Sequence, residues 1–307
     1  MKRIIHNPVA IALCYLLSGC FFSSCATRHN KLQTAIPYPA PFPDSNAITF
    51  LPGIVSSDSI DFNSAFSPDG RSFYFTRKKS GLSKIYITRY DGKGWEEPVL
   101  SPFSNTKYSV ADPAFGPDGK LYFISDRPKN QSDSSGDYDI WFSKPLGDGG
   151  WSEPENLQIV NSDSSEYYIS FSKNGNLYFA SGRKGSIGEE DIYVSRLVNG
   201  QYTTPQNLGA AINSQHSEYD PCISPDEDLI IFSSSNREDS FGGADLYYSK
   251  LDGNKKWSPA VHFGKNFNTK SREYCSYFSP DGKYFFFSSG GDVKWVDIKA
   301  INKIIRP

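Results

Sequence analysis

The best candidates for chemistry in this chain are acidic residues that recur at one fixed place ahead of a repeated turn. Asp61, Glu166, Glu218 and Glu273 each stand five residues before the apolar residue that leads into the turn, and Val110 takes the remaining position. Two residues further on come Asn63, Asp112, Tyr168, Asp220 and Cys275. A ring of carboxylates reinforced by Asp112 and Asp220 can bind a cation, or a cationic or hydroxyl-rich ligand. The competing reading carries more weight, because repeated polar residues usually serve the repeat: the carboxylates accept hydrogen bonds from turn backbones.

A second recurring set is Arg77, Arg127, Arg183 and Arg237, each just after an aromatic segment, with Asp139, Asp191 and Asp245 opening the next segment. Charges that repeat together read as ion pairs within each repeat. The stretch Asn130–Asp139 alternates acids as a calcium loop does. It lacks the terminal bidentate Glu, and its Ser/Gly content reads as a solvated insertion. There is no Gly-x-Ser-x-Gly elbow for a serine hydrolase. Beyond the leader the histidines are His29, His216 and His262, too few near one another for a histidine-held metal. No metal or cofactor is expected, and the chain is read as not an enzyme. Glycan hydrolysis by two carboxylates of the ring is the leading catalytic alternative.

The elements that must position these residues follow from self-comparison. Five tetrads occupy equivalent places: Ser67-Pro68-Asp69-Gly70, Gly116-Pro117-Asp118-Gly119, Ser172-Lys173-Asn174-Gly175, Ser224-Pro225-Asp226-Glu227 and Ser279-Pro280-Asp281-Gly282, roughly fifty residues apart. Pro second and Gly fourth suit a type I turn, so each tetrad joins two strands. An apolar strand precedes it, ending in Phe66, Phe115, Phe171, Ile223 or Phe278, and an aromatic strand follows, such as Leu121–Ser125 or Tyr284–Ser288. A third strand opens Asp-Ile-Tyr or similar. A fourth segment carries Trp and Pro, and proline belongs on an edge strand. Four antiparallel strands per repeat predict an all-β chain folded as a single β-propeller. The last repeat lacks its fourth strand, while Ala47-Ile48-Thr49-Phe50-Leu51 stands unpaired before the first. That N-terminal strand is expected to complete the last blade and close a ring of five four-stranded blades, with six as the alternative count.

The Ser-Pro-Asp-Gly turn, the Phe-x-Ser strand end and the Asp-Ile-Tyr strand resemble the TolB-type, WD-like propeller repeat of bacterial periplasmic proteins. The resemblance covers the whole repeated body. Two departures stand out. The separate N-terminal α/β domain of that family is absent, and its propellers usually have six blades. Partnership with a Pal-like lipoprotein, which the family implies, is therefore not carried over.

The N-terminus reads as an address. Met1-Lys2-Arg3 and an apolar run from Val9 to Leu17, too short to span a bilayer, suit a signal peptide. Leu17-Ser18-Gly19-Cys20 resembles the bacterial lipobox, which makes Cys20 the expected lipidation site and the membrane a partner through acyl chains such as palmitate. Phe21 rather than Asp follows it, which by resemblance to lipoprotein sorting rules favours the outer membrane, on its periplasmic face. Residues 1–19 thus read as signal peptide, 20–45 as the lipidated cysteine with a Pro-rich spacer, and 46–307 as the propeller. Cys222 and Cys275 are expected as free buried thiols. A net charge of −2 gives no field for gathering nucleic acid. The expected function is protein binding: a lipid-anchored scaffold for an envelope protein. The alternative is a glycan-binding or glycan-hydrolysing propeller using the acidic channel mouth at Asp61, Asp112, Glu166, Glu218, Asp220 and Glu273.

Overall fold

The computed structural model describes Met1, residues 35–147 and residues 149–306. Cys20 and the expected leader beyond Met1 lie outside the described residues.

Each repeat folds as an antiparallel four-stranded blade, and the five blades form the expected propeller. The inner strands are Ile60–Phe66, Val110–Phe115, Glu166–Phe171, Ser217–Ile223 and Glu273–Phe278. The second strands, Ser72–Lys79, Leu121–Ser125, Leu177–Ser181, Leu229–Ser235 and Tyr284–Ser289, are aromatic and largely buried on both faces. Such double-sided burial is what a strand between two neighbouring blades must withstand, and it explains the near-continuous apolar runs. Phe73, Phe75, Phe123, Phe179, Phe232, Phe285 and Phe286 are among the fully buried side chains.

The tetrads turn as expected. In blade 1 the amide of Gly70 donates to Ser67 O at 2.8 Å, with Gly70 at φ +70°. Blade 4 puts Glu227 in the same left-handed position at φ +59°. A non-glycine residue is disfavoured there. Its carboxylate accepts from Asn176 Nδ2 and Tyr178 Oη, both at 2.8 Å, which ties blade 4 to blade 3.

The ring closes through the N-terminal strand Ile48–Thr49, which pairs antiparallel with Trp295 and Lys294 on the third strand of blade 5. Beside it Phe50 is fully buried, with ring contacts to Phe66 and Phe73 of blade 1 and to Phe286 and Trp295 of blade 5. The Pro-rich stretch continues this seam. Tyr38 stacks on Trp295 and donates to Asp281 at 2.7 Å, while Trp95 Nε1 donates to Pro37 O at 2.9 Å. The chain ends differently from its sequence pattern: Ile298–Ile305 is an α-helix, capped by Asp297 Oδ1 accepting from Lys299 N, and it buries Ile301 and Ile305 against blades 4 and 5. Two turns are too short for helical periodicity to stand out in sequence.

Candidate functional site

The first acidic column is structural in its contacts. The amide of each of these residues bonds to the preceding blade, with Asp61 N to Gly291 O at 2.9 Å, Glu166 N to Tyr138 O at 2.7 Å, Glu218 N to Glu190 O at 2.8 Å and Glu273 N to Ala244 O at 2.9 Å. All four side chains are fully buried. Each carboxylate turns back to a hydroxyl residue four positions earlier and accepts both its N–H and its O–H. For Glu218 these are Ser214 N at 2.6 Å and Ser214 Oγ at 2.7 Å; Ser57, Ser162 and Thr269 do the same for Asp61, Glu166 and Glu273.

The arginines complete this staple, and here the expected pairing is corrected. Arg77, Arg183 and Arg237 bridge Asp61, Glu166 and Glu218 at 2.6, 2.7 and 2.9 Å rather than the aspartates of the third strand. Inner and second strands run side by side, so an arginine leaving the end of the second strand reaches the start of the first. Asp191 instead accepts from Ile187 N and Asn207 Nδ2, both at 2.6 Å, while Asp245 faces His262 Nε2 at 3.0 Å and Asp139 faces Lys129 Nζ at 3.3 Å. The Asn130–Asp139 loop also folds around its own cation: Lys129 Nζ lies 3.6 Å from Asp137 and donates to Ser162 O at 3.0 Å. Among the described residues no cluster of three or more His, Cys, Asp or Glu is placed to hold a metal ion.

The second column differs because of backbone. Asn63, Asp112, Tyr168, Asp220 and Cys275 all have positive φ, between +48° and +63°, and each sits where its inner strand slips register against the second strand. This is a β-bulge repeated five times. A bulge withdraws one residue from the ladder and re-aims its neighbours. The N–H groups so freed bond to the adjoining blade: Tyr168 N donates to Asp112 Oδ2 at 2.9 Å, and Cys275 N to Asp220 Oδ2 at 3.0 Å. Burial pushes the carboxyl of Asp112 up to about 7, helped by the charge of Asp220, and burial raises Asp220 to about 6. Cys222 and Cys275 are free and buried.

Between the two columns lies a third that the sequence reading passed over: Phe62, Ala111, Tyr167, Tyr219 and Tyr274. The bulge turns these residues into the mouth of the channel at which the inner strands begin. With Tyr138 they wall a cup of about 350 Å³. Asp112, Asp220 and Cys275 form its buried floor, and Lys78, Glu190 and Arg272 stand around its opening. Phe62 and Tyr274 lie 6.0 Å apart, Tyr138 and Tyr167 5.6 Å, and Arg272 Nη2 donates to Tyr219 Oη at 3.1 Å. So the structure brings Asp112 and Asp220 together at a cavity, while Asp61, Glu166, Glu218 and Glu273 are held in the seams.

The opposite mouth has other chemistry. Phe115, Phe171, Ile223, Phe278, Pro117 and Pro280 are among the residues lining a funnel of about 360 Å³ at the tetrad turns. Tyr168 spans from blade 3 to blade 5 beneath it, donating its hydroxyl to Ser276 O.

These features define a five-bladed β-propeller with one polar, aromatic mouth and one apolar mouth. No family model matches the chain, and no curated protein sequence matches it. Solved propellers do. TolB from Acinetobacter baumannii is 15% identical with a TM-score of 0.48, over 78% of this chain and 55% of its own, so the chain spans about half the length of that protein. A gluconolactonase, XC5397 from Xanthomonas campestris, is 12% identical with a TM-score of 0.47, over 82% of this chain and 89% of its own. The tricorn protease is 18% identical with a TM-score of 0.50, over 80% of this chain and 22% of its own. At such identities the likeness is one of fold. It also corrects the expectation that this chain is not an enzyme. The tricorn protease is an enzyme of this fold, so the fold gives no ground for excluding catalysis, and that expectation is withdrawn.

Proposed function

We propose that this chain is a ligand-binding propeller whose aromatic cup takes a carbohydrate-class ligand. One observation carries the reading: four of the five blades contribute an aromatic residue from the position just before the bulge, Phe62, Tyr167, Tyr219 and Tyr274, around a floor of buried carboxyl groups. Sugar rings offer apolar faces for aromatic stacking and hydroxyls for carboxylates, and the cup's volume falls within the usual range for small-molecule sites. The expected tether at Cys20 is consistent with a binding protein held at a membrane surface. Its test is acyl labelling of intact cells, which Cys20→Ser abolishes if the tether exists.

The cup itself is tested by titrating the purified chain with a panel of soluble oligosaccharides. Binding is expected to fall at least tenfold, roughly 1.4 kcal/mol, in Tyr167→Ala/Tyr274→Ala. Equal binding by the variant and the parent chain removes the cup from consideration. A second reading, protein docking as in a scaffold, is supported by the apolar lining of the opposite funnel, where half-buried Phe115, Phe171 and Phe278 stand beside prolines of the turns.

A further inference from the structure

We infer that the ligand of the cup carries a protonated amine, which seats between the carboxylates of Asp112 and Asp220. The inference deepens the reading of the cup as a ligand site and rests on it. Several buried carboxylates of the inner and third strands have a cation of their own: Arg77 for Asp61, Arg183 for Glu166, Arg237 for Glu218 and Lys129 for Asp139. Asp112 and Asp220 are 6% and 7% exposed, and among the described residues no Lys, Arg or His nitrogen lies within 4.0 Å of either. Their partners are backbone N–H groups, the Cys275 thiol and the Asn63 side chain.

Two like-charged groups held together out of water destabilise each other, and a cation set between them relieves both desolvation and repulsion. Both carboxyl groups line the cavity, so the relieving cation can come from outside. The walls favour an organic ammonium over a hydrated metal ion. Aromatic faces attract cations without supplying the six or more oxygen ligands that calcium needs, and the floor offers only two carboxylates. Lys78 and Arg272 do not cancel this preference. Both are exposed at the opening; the charge of Arg272 reaches Asp220 but makes no ion pair with it within 4.0 Å, because its guanidinium is engaged with Tyr219 Oη.

The test compares two oligomers that differ only in this group: a glucosamine tetramer, with free amines, and its fully N-acetylated counterpart. Calorimetric titration of the full chain near pH 6.5 is expected to show the free-amine form bound at least about tenfold more tightly. Asp112→Asn/Asp220→Asn should bring the two forms within about twofold of each other, whereas Tyr274→Ala should weaken both alike. Asn tolerates the left-handed backbone of the bulge, so the double variant is expected to fold, and its circular dichroism checks this. Equal binding of both forms, unchanged in the double variant but lost in Tyr274→Ala, overturns the ammonium and leaves the cup reading intact. Binding of neither form to the parent chain overturns both.

Discussion

Two sets of carboxylates occupy positions two residues apart on the inner strands and lead opposite lives. Asp61, Glu166, Glu218 and Glu273 lie in regular ladder, fully buried, each filled by a serine or threonine of the preceding loop and, in three blades, by an arginine. Asp112 and Asp220 lie on a bulge, accept one backbone N–H each, and face a cavity with no ion-pair partner within 4.0 Å among the described residues. Side-chain type is almost the same in both sets; one left-handed residue per strand separates them. Regular strand turns an acid into a fastener between blades. The bulge releases the next acid to the channel.

The largest break in this comparison is Glu218→Ala. It leaves the Arg237 guanidinium, Ser214 N and Ser234 Oγ without their common acceptor, a carboxylate that is itself fully buried. Removing one partner of a buried pair costs about 3–5 kcal/mol. A shift of the urea midpoint amounting to less than about 1 kcal/mol would show that the staple is not what holds blade 4 to blade 3.

Blade 2 sharpens the comparison because it lacks the first-column acid. Val110 stands there, and the third strand of blade 1 carries Lys84 where the other four blades have Asp139, Asp191, Asp245 and Asp292. Both oddities meet at one seam. Lys84 Nζ donates to Thr106 O and Tyr108 O, both at 2.5 Å, in the loop that elsewhere is held by the carboxylate. Burial lowers the pKa of this lysine. Lys84→Met leaves two carbonyls unpaired and is expected to cost about 1–3 kcal/mol, with hydrogen exchange rising first in residues 104–110. Exchange that rises equally in all seams would mean that Lys84 does not substitute for the missing acid.

The repeat made the blades, the tetrad turns and the closing strand legible, because each depends on local residue types recurring in register. It also exposed Val110 as an exception, and Lys84 as a second once the third strands are aligned. It did not show that the two exceptions face one another, since that contact lies between blades. The arginines were assigned to the nearest acids along the chain, whereas strand pairing brings Arg183 beside Glu166, seventeen residues back. Phe62, Tyr167, Tyr219 and Tyr274 were passed over for a related reason. In a regular strand they alternate away from the acids on either side, and nothing in Asn, Asp, Tyr, Asp and Cys announces that all five adopt positive φ. A column that is aromatic in four repeats out of five was nevertheless visible, and it marks the cup.

A change of sign with pH separates the two columns. Asp112 and Asp220 have carboxyl pKa values raised by burial to about 7 and about 6, above those of an unfolded aspartate. The folded state therefore binds protons more tightly at these sites than the unfolded state does. Their contribution to stability is fully present below about pH 4 and is lost as pH rises to about 7. Asn at both positions cannot ionise and keeps an acceptor oxygen for Tyr168 N and Cys275 N. Asp112→Asn/Asp220→Asn should accordingly be more stable than the parent at pH 7, by on the order of 1 kcal/mol for each pH unit crossed between the two limits, and no more stable at pH 4. Glu218→Gln, in the first column, should instead lose stability at pH 7, because there the charge is matched by Arg237 at 2.9 Å. Thermal melts of the parent and both variants at pH 4 and pH 7 decide the matter. A double variant less stable than the parent at pH 7 would place Asp112 and Asp220 with the fasteners and remove the distinction between ladder and bulge.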